Sequence, residues 1–555
     1  MVHRLLKLFL KPHFFILIFT FIIGGYLLTL NFSQIDRDYH TFFAKHYRNN
    51  WFSLYDSQLG GGIYLGNYPP LTHQIIAFFS YLLPLNVSYL IVILMFWVLL
   101  TFYSIKFFLN YIDEKETYVW PMFLFSFFSL GMFREILVYS WITITAGLAF
   151  AFISLHYFIL FIKNKNVNKL YFIFPAILAL FTHPYSFVFL LGIYYLIIIF
   201  DYKNITKKTK LRFIILLFLV GIITYNLIFY FLGDVLNYWI ELNHPSRNPL
   251  LPDYIYDWFY TNFGLSLLMI ILSPLLFIFY KSLRKISKIY FIALLFLIIG
   301  LGRTTPLSKI LFDGLEKWLT FDPFLFLSSI FLSSLLGFFV IKLTYFHFKS
   351  ARTIIIVLFV LFIFYLVYDI SEALNLDPLP LHNDTKLIES RNFVLKFLNS
   401  KQSNYAYQTF GYPSSIGGIY LNTNMHTTDS DYFSFNRSLD FIRGTNVKTI
   451  NKVSNTTFLL TFFNNTAKYS VKYVITYNDF YANITKGQNW KIIENKTFNN
   501  LNVIIWENPN KIEPLKPTQE RITLFNYLWG IAPLSTLFIF IFMLAYDKRH
   551  KLQRC

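Results

Sequence analysis

Two carboxylates and a histidine fall within five residues of one another at Asp36, Asp38 and His40, just past the apolar run 14–30. A carboxylate so placed can take a proton from an attacking hydroxyl, and the histidine can orient that carboxylate or meet a phosphate. The Asp-x-Asp spacing also suits a hard divalent cation, so Mg²⁺ or Mn²⁺ on Asp36 and Asp38 stays open and no other cofactor is implied. The plainer reading is a solvated turn, with Asn31 and Ser33 making the boundary polar.

Other ionisable groups recur where apolar runs stop: Arg134, Glu135, His183, Arg247 and Arg303. Charge near hydrocarbon is costly unless paired or hydrated, so such groups are functional candidates by default. Arginine offers forked donors that match phosphate. Arg134 and Glu135 read equally as a local ion pair, and neighbours in sequence point apart on a helix. His183, just before Pro184, reads as a ligand or as a helix-end residue. Together these groups suggest a polar cavity with carboxylates on one wall and cations on another. A substrate with phosphate at the cations, its tail in lipid and a reactive carbon facing a carboxylate is a polyprenyl-phosphate sugar.

The elements that position these residues are membrane spans. Hydrophobic residues make up 56% of the 555, aromatic residues 21% and charged residues 14%, against about a quarter charged in soluble domains. The net charge of +19 lies in short clusters between apolar runs, which orients a membrane protein and gives no stripe for nucleic acid. The sole cysteine is Cys555, which excludes an internal disulfide framework. His3, Arg4, Lys7 and Lys11 precede the first apolar run and no small-residue cleavage site follows it, so it reads as an uncleaved span. Placing every basic connection in the cytoplasm gives about twelve spans, with both termini cytoplasmic and an outer loop at 31–86. The segment from Leu71 is short for a span and stops at Pro84. It is expected to lie along the outer surface or dip in.

The domains expected are therefore 1–370, a helical membrane domain carrying the outer loop; 371–522, an extracytoplasmic mixed α/β domain; and 523–555, a last span and tail. The second is polar and Asn-rich, with short β-like runs. Six Asn-x-Ser/Thr triplets, at Asn383, Asn436, Asn455, Asn464, Asn483 and Asn495, are glycosylation candidates on an exported surface, although an Asn- and Thr-rich segment also produces such triplets by chance.

The layout resembles the GT-C superfamily of membrane glycosyltransferases, whose first outer loop bears the catalytic acid. More closely, "DRDYH" at 36–40, Trp51, the glycines at 60–62 and "YPPL" at 68–71 resemble the membrane proteins labelled 6-pyruvoyl-tetrahydropterin synthase-related. On that pattern Asp36 and His40 match and Asp38 is an extra carboxylate. "FTHPYSFVFLL" at 181–191 and "VKYVITYN" at 471–478 are weaker matches. A Phe-Pro-Trp-Arg expected before a late span is replaced by Asp322, Pro323 and Phe324, leaving Arg303 or Lys309 to stand in for its arginine. The resemblance implies an inverting transferase in a prokaryotic, archaeal, plasma membrane. It would move a sugar from a polyprenyl (dolichyl) phosphate donor to a glycan or glycolipid hydroxyl. Asp36, Asp38 and His40 would be catalytic, and Arg134, Glu135, His183, Arg247 and Arg303 would bind substrate. The alternative is a non-catalytic lipid or glycolipid transporter or a surface-glycan assembly scaffold. No P-loop, Gly-x-Gly-x-x-Gly or His-Glu-x-x-His motif supports ATP-driven transport or zinc hydrolysis.

Overall fold

The computed structural model describes residues 35–56, 58, 63–65, 68–127, 136, 141–163, 167–201, 270, 284–312, 320–345, 385–413, 417–429, 450–515 and 522–553. The first apolar run, Arg134, Glu135, Arg247, Asn383 and Asn436 lie outside these residues. The polar start of the outer loop, expected to be an irregular connection, is helix α1 (Ile35–Asn49). Its sequence places Tyr39, Phe42, Phe43 and Tyr47 on one buried stripe and leaves Arg48 and Asn49 exposed. This is the i, i+3, i+4 pattern of a helix laid on a core. A short hairpin follows, β1 (Tyr55–Asp56) with β2 (Ile63–Tyr64). Pro70 then caps α2 (Leu71–Ser80). At ten residues, α2 is about 15 Å long, too short to cross a bilayer, in line with its expected place at the surface.

The bundle proper continues through α3 (Leu85–Ile112), α4 (Val119–Phe127), α5 (Ile142–Ile162), α6 (Leu170–Thr182), α7 (Pro184–Phe200), α8 (Arg284–Gly300), α9 (Pro306–Phe312) and α10 (Asp322–Tyr345). Among the described residues four helices are long and apolar enough to span a membrane: α3, α5, α10 and the last helix, α15 (Leu524–Gln553). About twelve spans were expected; the described residues show a polytopic bundle with these four. Helix α5 is apolar all round and buried, which identifies it as the bundle's centre. Its Gly147 lets α7 come close: a Cβ there would lie 2.7 Å from the Ser186 Cβ. Hydroxyls inside the bundle find carbonyl partners, as when Ser328 of α10 donates to the Ala293 carbonyl of α8 at 2.8 Å. No water is available to satisfy them in hydrocarbon.

The two ends of the bundle differ in chemistry. At one end Asp113, just past α3, bridges Lys163 after α5 and Lys285 at the start of α8. Beside it Lys288 meets Asp201 at 2.6 Å and Lys342 meets Glu114 at 2.7 Å. The connections that the sequence assigned to a single side thus meet at one end. Burial works to raise the Asp113 pKa, but the two lysines outweigh it and hold the carboxyl below its ordinary range. The outer loop sits at the opposite end, where the Tyr68 hydroxyl lies 3.2 Å from that of Thr143 at the start of α5.

Beyond the bundle lie α11 (Thr385–Asn399), β3 (Ala406–Phe410), α12 (Gly417–Tyr420), β4 (His426–Thr427), α13 (Thr456–Asn465), β5 (Val471–Thr476), α14 (Asp479–Gly487), β6 (Lys491–Phe498) and β7 (Leu501–Glu507). They form a five-stranded sheet of order β4-β3-β5-β7-β6, with β3 parallel to β4 and β5 and with β7 antiparallel to β5 and β6. This is the mixed α/β domain expected. Asn499 and Asn500, with φ of 42° and 81°, turn β6 into β7 as a two-residue hairpin that matches the strand twist. Alternation along β5 sends Val474 to a core shared with Phe462, Phe463 and Tyr481 of α13 and α14. Tyr473 and Ile475 face the other way, into a core that also holds Val394, Phe397, Tyr407 and Tyr420. Tyr39, Phe42 and Phe43 of α1 and Leu65 of the outer loop belong to that second core. The loop and the C-terminal domain, separate in sequence, thus share one apolar interior.

Candidate functional site

Pro69 and Pro70 set the centre of the site. Proline has no N–H to lose at a helix start, and the first turn of α2 is anchored by the Gln74 N–H on the Pro70 carbonyl at 2.9 Å. This turn holds His73, 1% exposed, against His40 of α1, 6% exposed. The rings stack with centroids 5.2 Å apart, and His40 Nδ1 lies 2.9 Å from His73 Nε2. The His73 ring also donates to the Pro69 carbonyl. Tyr68 stacks on Phe43 at 5.3 Å and meets the His73 ring edge-on at 5.4 Å.

His183 joins from the bundle. A residue before proline is pushed out of helical conformation, and with Pro184 following, His183 is extended (φ −160°, ψ 124°) and separates α6 from α7. The residue is half-buried, but its Nδ1 is enclosed without a hydrogen-bond partner, and it lies within electrostatic reach of His40. Burial depresses the His40 and His183 pKa values to about 3 and His73 well below its ordinary value; the neighbouring His40 adds to the last two effects. All three rings are therefore neutral at physiological pH.

The C-terminal domain and α15 fasten this arrangement. Phe42 meets Tyr420 edge-on at 5.8 Å. Lys45 donates to the Leu421 carbonyl at 3.0 Å, and Gln58 donates to the carbonyls of Tyr420 and Thr423 at 2.8 and 2.6 Å. His46 faces Asp56 at 2.6 Å through Nδ1 and the Ser53 carbonyl at 2.9 Å through Nε2, which ties α1 to the hairpin. Pro533 within α15 cannot donate to the Trp529 carbonyl four residues earlier; the Gln74 side chain of α2 donates to it at 3.2 Å. The Trp51 indole donates to the Gly530 carbonyl at 2.9 Å, and Gly530 leaves room for Phe52, whose ring would lie 2.7 Å from an added Cβ.

The residues expected from sequence are distributed as follows. Asp36 and His40, one helical turn apart, share a face of α1. Asp38 is about 200° round the helix from Asp36, so within a helix the Asp-x-Asp spacing does not aim two carboxylates at one ion. This corrects the view of 36, 38 and 40 as one cluster. Among the described residues no three His, Cys, Asp or Glu side chains form a metal-binding group. His183 is at the site. Arg303 is exposed on the turn after α8, and Lys309 is exposed on α9. Asn455, Asn464, Asn483 and Asn495 are all exposed. Sequence reasoning missed His73 and gave Tyr68 and the prolines no more than a structural role. The available signal was a second histidine three residues past the Pro-Pro helix start. No protein-family model matches the chain, and no curated protein matches it.

Proposed function

We propose that the chain is an inverting GT-C-like glycosyltransferase, built on about twelve spans in a prokaryotic plasma membrane with both termini cytoplasmic. It would take a sugar from a polyprenyl phosphate to a hydroxyl of a glycan or glycolipid on the outer face. The observation that carries this reading is the placement of α1. Its His40 face is folded into the junction between apolar bundle and C-terminal domain, against His73, Tyr68 and Thr143, where a lipid-borne donor and an aqueous acceptor can meet.

In this reading Asp36 takes the proton of the acceptor hydroxyl as that oxygen bonds to the anomeric carbon. The bond from that carbon to the phosphate oxygen breaks, and polyprenyl phosphate leaves with the electron pair. Arg134, Arg247 and Arg303 supply charge for the leaving phosphate, and His183, neutral and enclosed, supplies a polar wall. Glu135 orients its arginine neighbour. The domain over α1 excludes water from the reacting centre.

The test is sugar transfer from a short-chain polyprenyl-phosphate sugar by Asp36→Asn protein in lipid nanodiscs. A fall of about 10²-fold or more is expected for loss of a general base. Undiminished transfer removes Asp36 from the mechanism, and absence of transfer by the unaltered protein favours the transporter or scaffold.

A further inference from the structure

We propose that His73 is a positioning residue that holds His40 as one tautomer, protonated on Nδ1 and bearing a lone pair on Nε2, so that His40 accepts a hydrogen bond from the acceptor hydroxyl. The functional half rests on the transferase reading above; the tautomer half does not.

The direction of the chain follows from its far end. A backbone carbonyl can only accept, so the His73 nitrogen facing Pro69 carries the proton. The other His73 nitrogen, Nε2, is the one engaged with His40. A neutral imidazole has one N–H, so His73 Nε2 is an acceptor and His40 Nδ1 must be the donor. The same count leaves His40 Nε2 without a proton. Burial of both rings disfavours a second proton on either.

This decides between two roles that the sequence left open for His40. A bare lone pair repels phosphate oxygens and receives hydroxyl protons, so His40 belongs on the acceptor side of the cavity. The fixed elements are short-range: His73 lies in the first turn of α2, which Pro70 starts, and Tyr68 braces the pair by ring contacts to both, 6.2 Å from His40 and 5.4 Å from His73. Setting a tautomer through the hydrogen bond on the opposite ring nitrogen is an established way of aiming an imidazole.

The experiment is ¹⁵N NMR of histidine-labelled full-length protein in nanodiscs, with His40 assigned by the signal lost in His40→Gln. The unaltered protein and His73→Gln, whose side-chain carbonyl can accept the same proton, are expected to show His40 protonated on Nδ1. His73→Leu is expected to move the proton to Nε2. An Nε2-protonated His40 in the unaltered protein, or an unchanged His40 in His73→Leu, overturns the proposal. If the leucine variant does not fold, the first two samples still decide it. In parallel, transfer from a short-chain polyprenyl-phosphate sugar to a methyl glycoside is expected to fall about 10²-fold in kcat for His73→Leu and to recover in His73→Gln. Full activity of the leucine variant overturns the functional half. Inactive unaltered protein sinks the transferase reading and leaves the tautomer result to stand or fall on its own spectra.

Discussion

Replacing Phe42 with alanine asks whether the C-terminal domain is held over the site by α1 itself. Phe42 is 1% exposed and lies in the core shared by α1 and the sheet, edge-on to Tyr420 at 5.8 Å. Truncating a buried phenylalanine costs about 3–5 kcal/mol, and roughly 0.5–1.5 kcal/mol of that is the ring pair. If the domain's packing depends on this seam, its melting temperature falls by roughly 6–20 °C, at about 2–4 °C per kcal/mol for a domain of this size. Hydrogen exchange of the full chain in nanodiscs is the sharper assay, because it reports opening segment by segment. In Phe42→Ala, peptides covering β3 and β5 are expected to exchange faster along with those of α1, although residue 42 and the strands are far apart in sequence. A double-mutant cycle with Tyr420→Ala is expected to return a coupling of about 0.5–1.5 kcal/mol. Faster exchange confined to α1, with β3 and β5 unchanged and no coupling, would refute the shared core as what holds the domain in place.

Acid is expected to weaken the outer end. His40 and His183 have pKa values near 3 when folded, so between the ordinary histidine pKa of about 6.5 and that value the unfolded chain binds protons the folded one does not. Stability is complete above that range and falls as pH drops through it, by up to about 1.4 kcal/mol per pH unit per histidine. Melting in nanodiscs from pH 7.5 to 5 measures this; a flat profile, or one that His40→Gln does not flatten, counts against the burial. The four described sequons differ in access. Thr466 and Thr485, the third residues of the Asn464 and Asn483 triplets, are buried in helices and bonded to the carbonyls of Phe463 and Tyr481, each at 2.8 Å. Asn495 and Thr497 lie exposed on edge strand β6, and Asn455 and Thr457 are exposed at the start of α13. Glycopeptide mass spectrometry of natively expressed protein is expected to find any sugar on Asn495 or Asn455; occupancy at Asn464 or Asn483 alone would contradict the fold there.

Much of the architecture was legible in the chain because its causes are local. Apolar runs become helices wherever backbone groups lack water, and basic connections segregate to one side one cluster at a time. The meeting of Asp113, Lys163, Lys285, Lys288 and Lys342 at one end follows from that rule. The Pro-Pro start of α2, the break at His183 before Pro184 and the strand alternation of β5 were equally readable, each depending on a residue and its immediate neighbours. Asp36, His40 and His183 stood out because charge or imidazole beside hydrocarbon is unusual at any single position.

Pairings across the chain had no local sign. Only the folded arrangement puts His73 on His40, because it takes the packing of α1 on α2 to bring together residues 33 apart in sequence. Only the helical state of 35–49 separates Asp38 from Asp36, since the same three residues in a loop could have converged. The apolar stripe of α1 announced that it needed a partner. That the partner is a sheet more than 350 residues later was decided by tertiary burial, which depends on what each surface meets and not on where it lies in the chain.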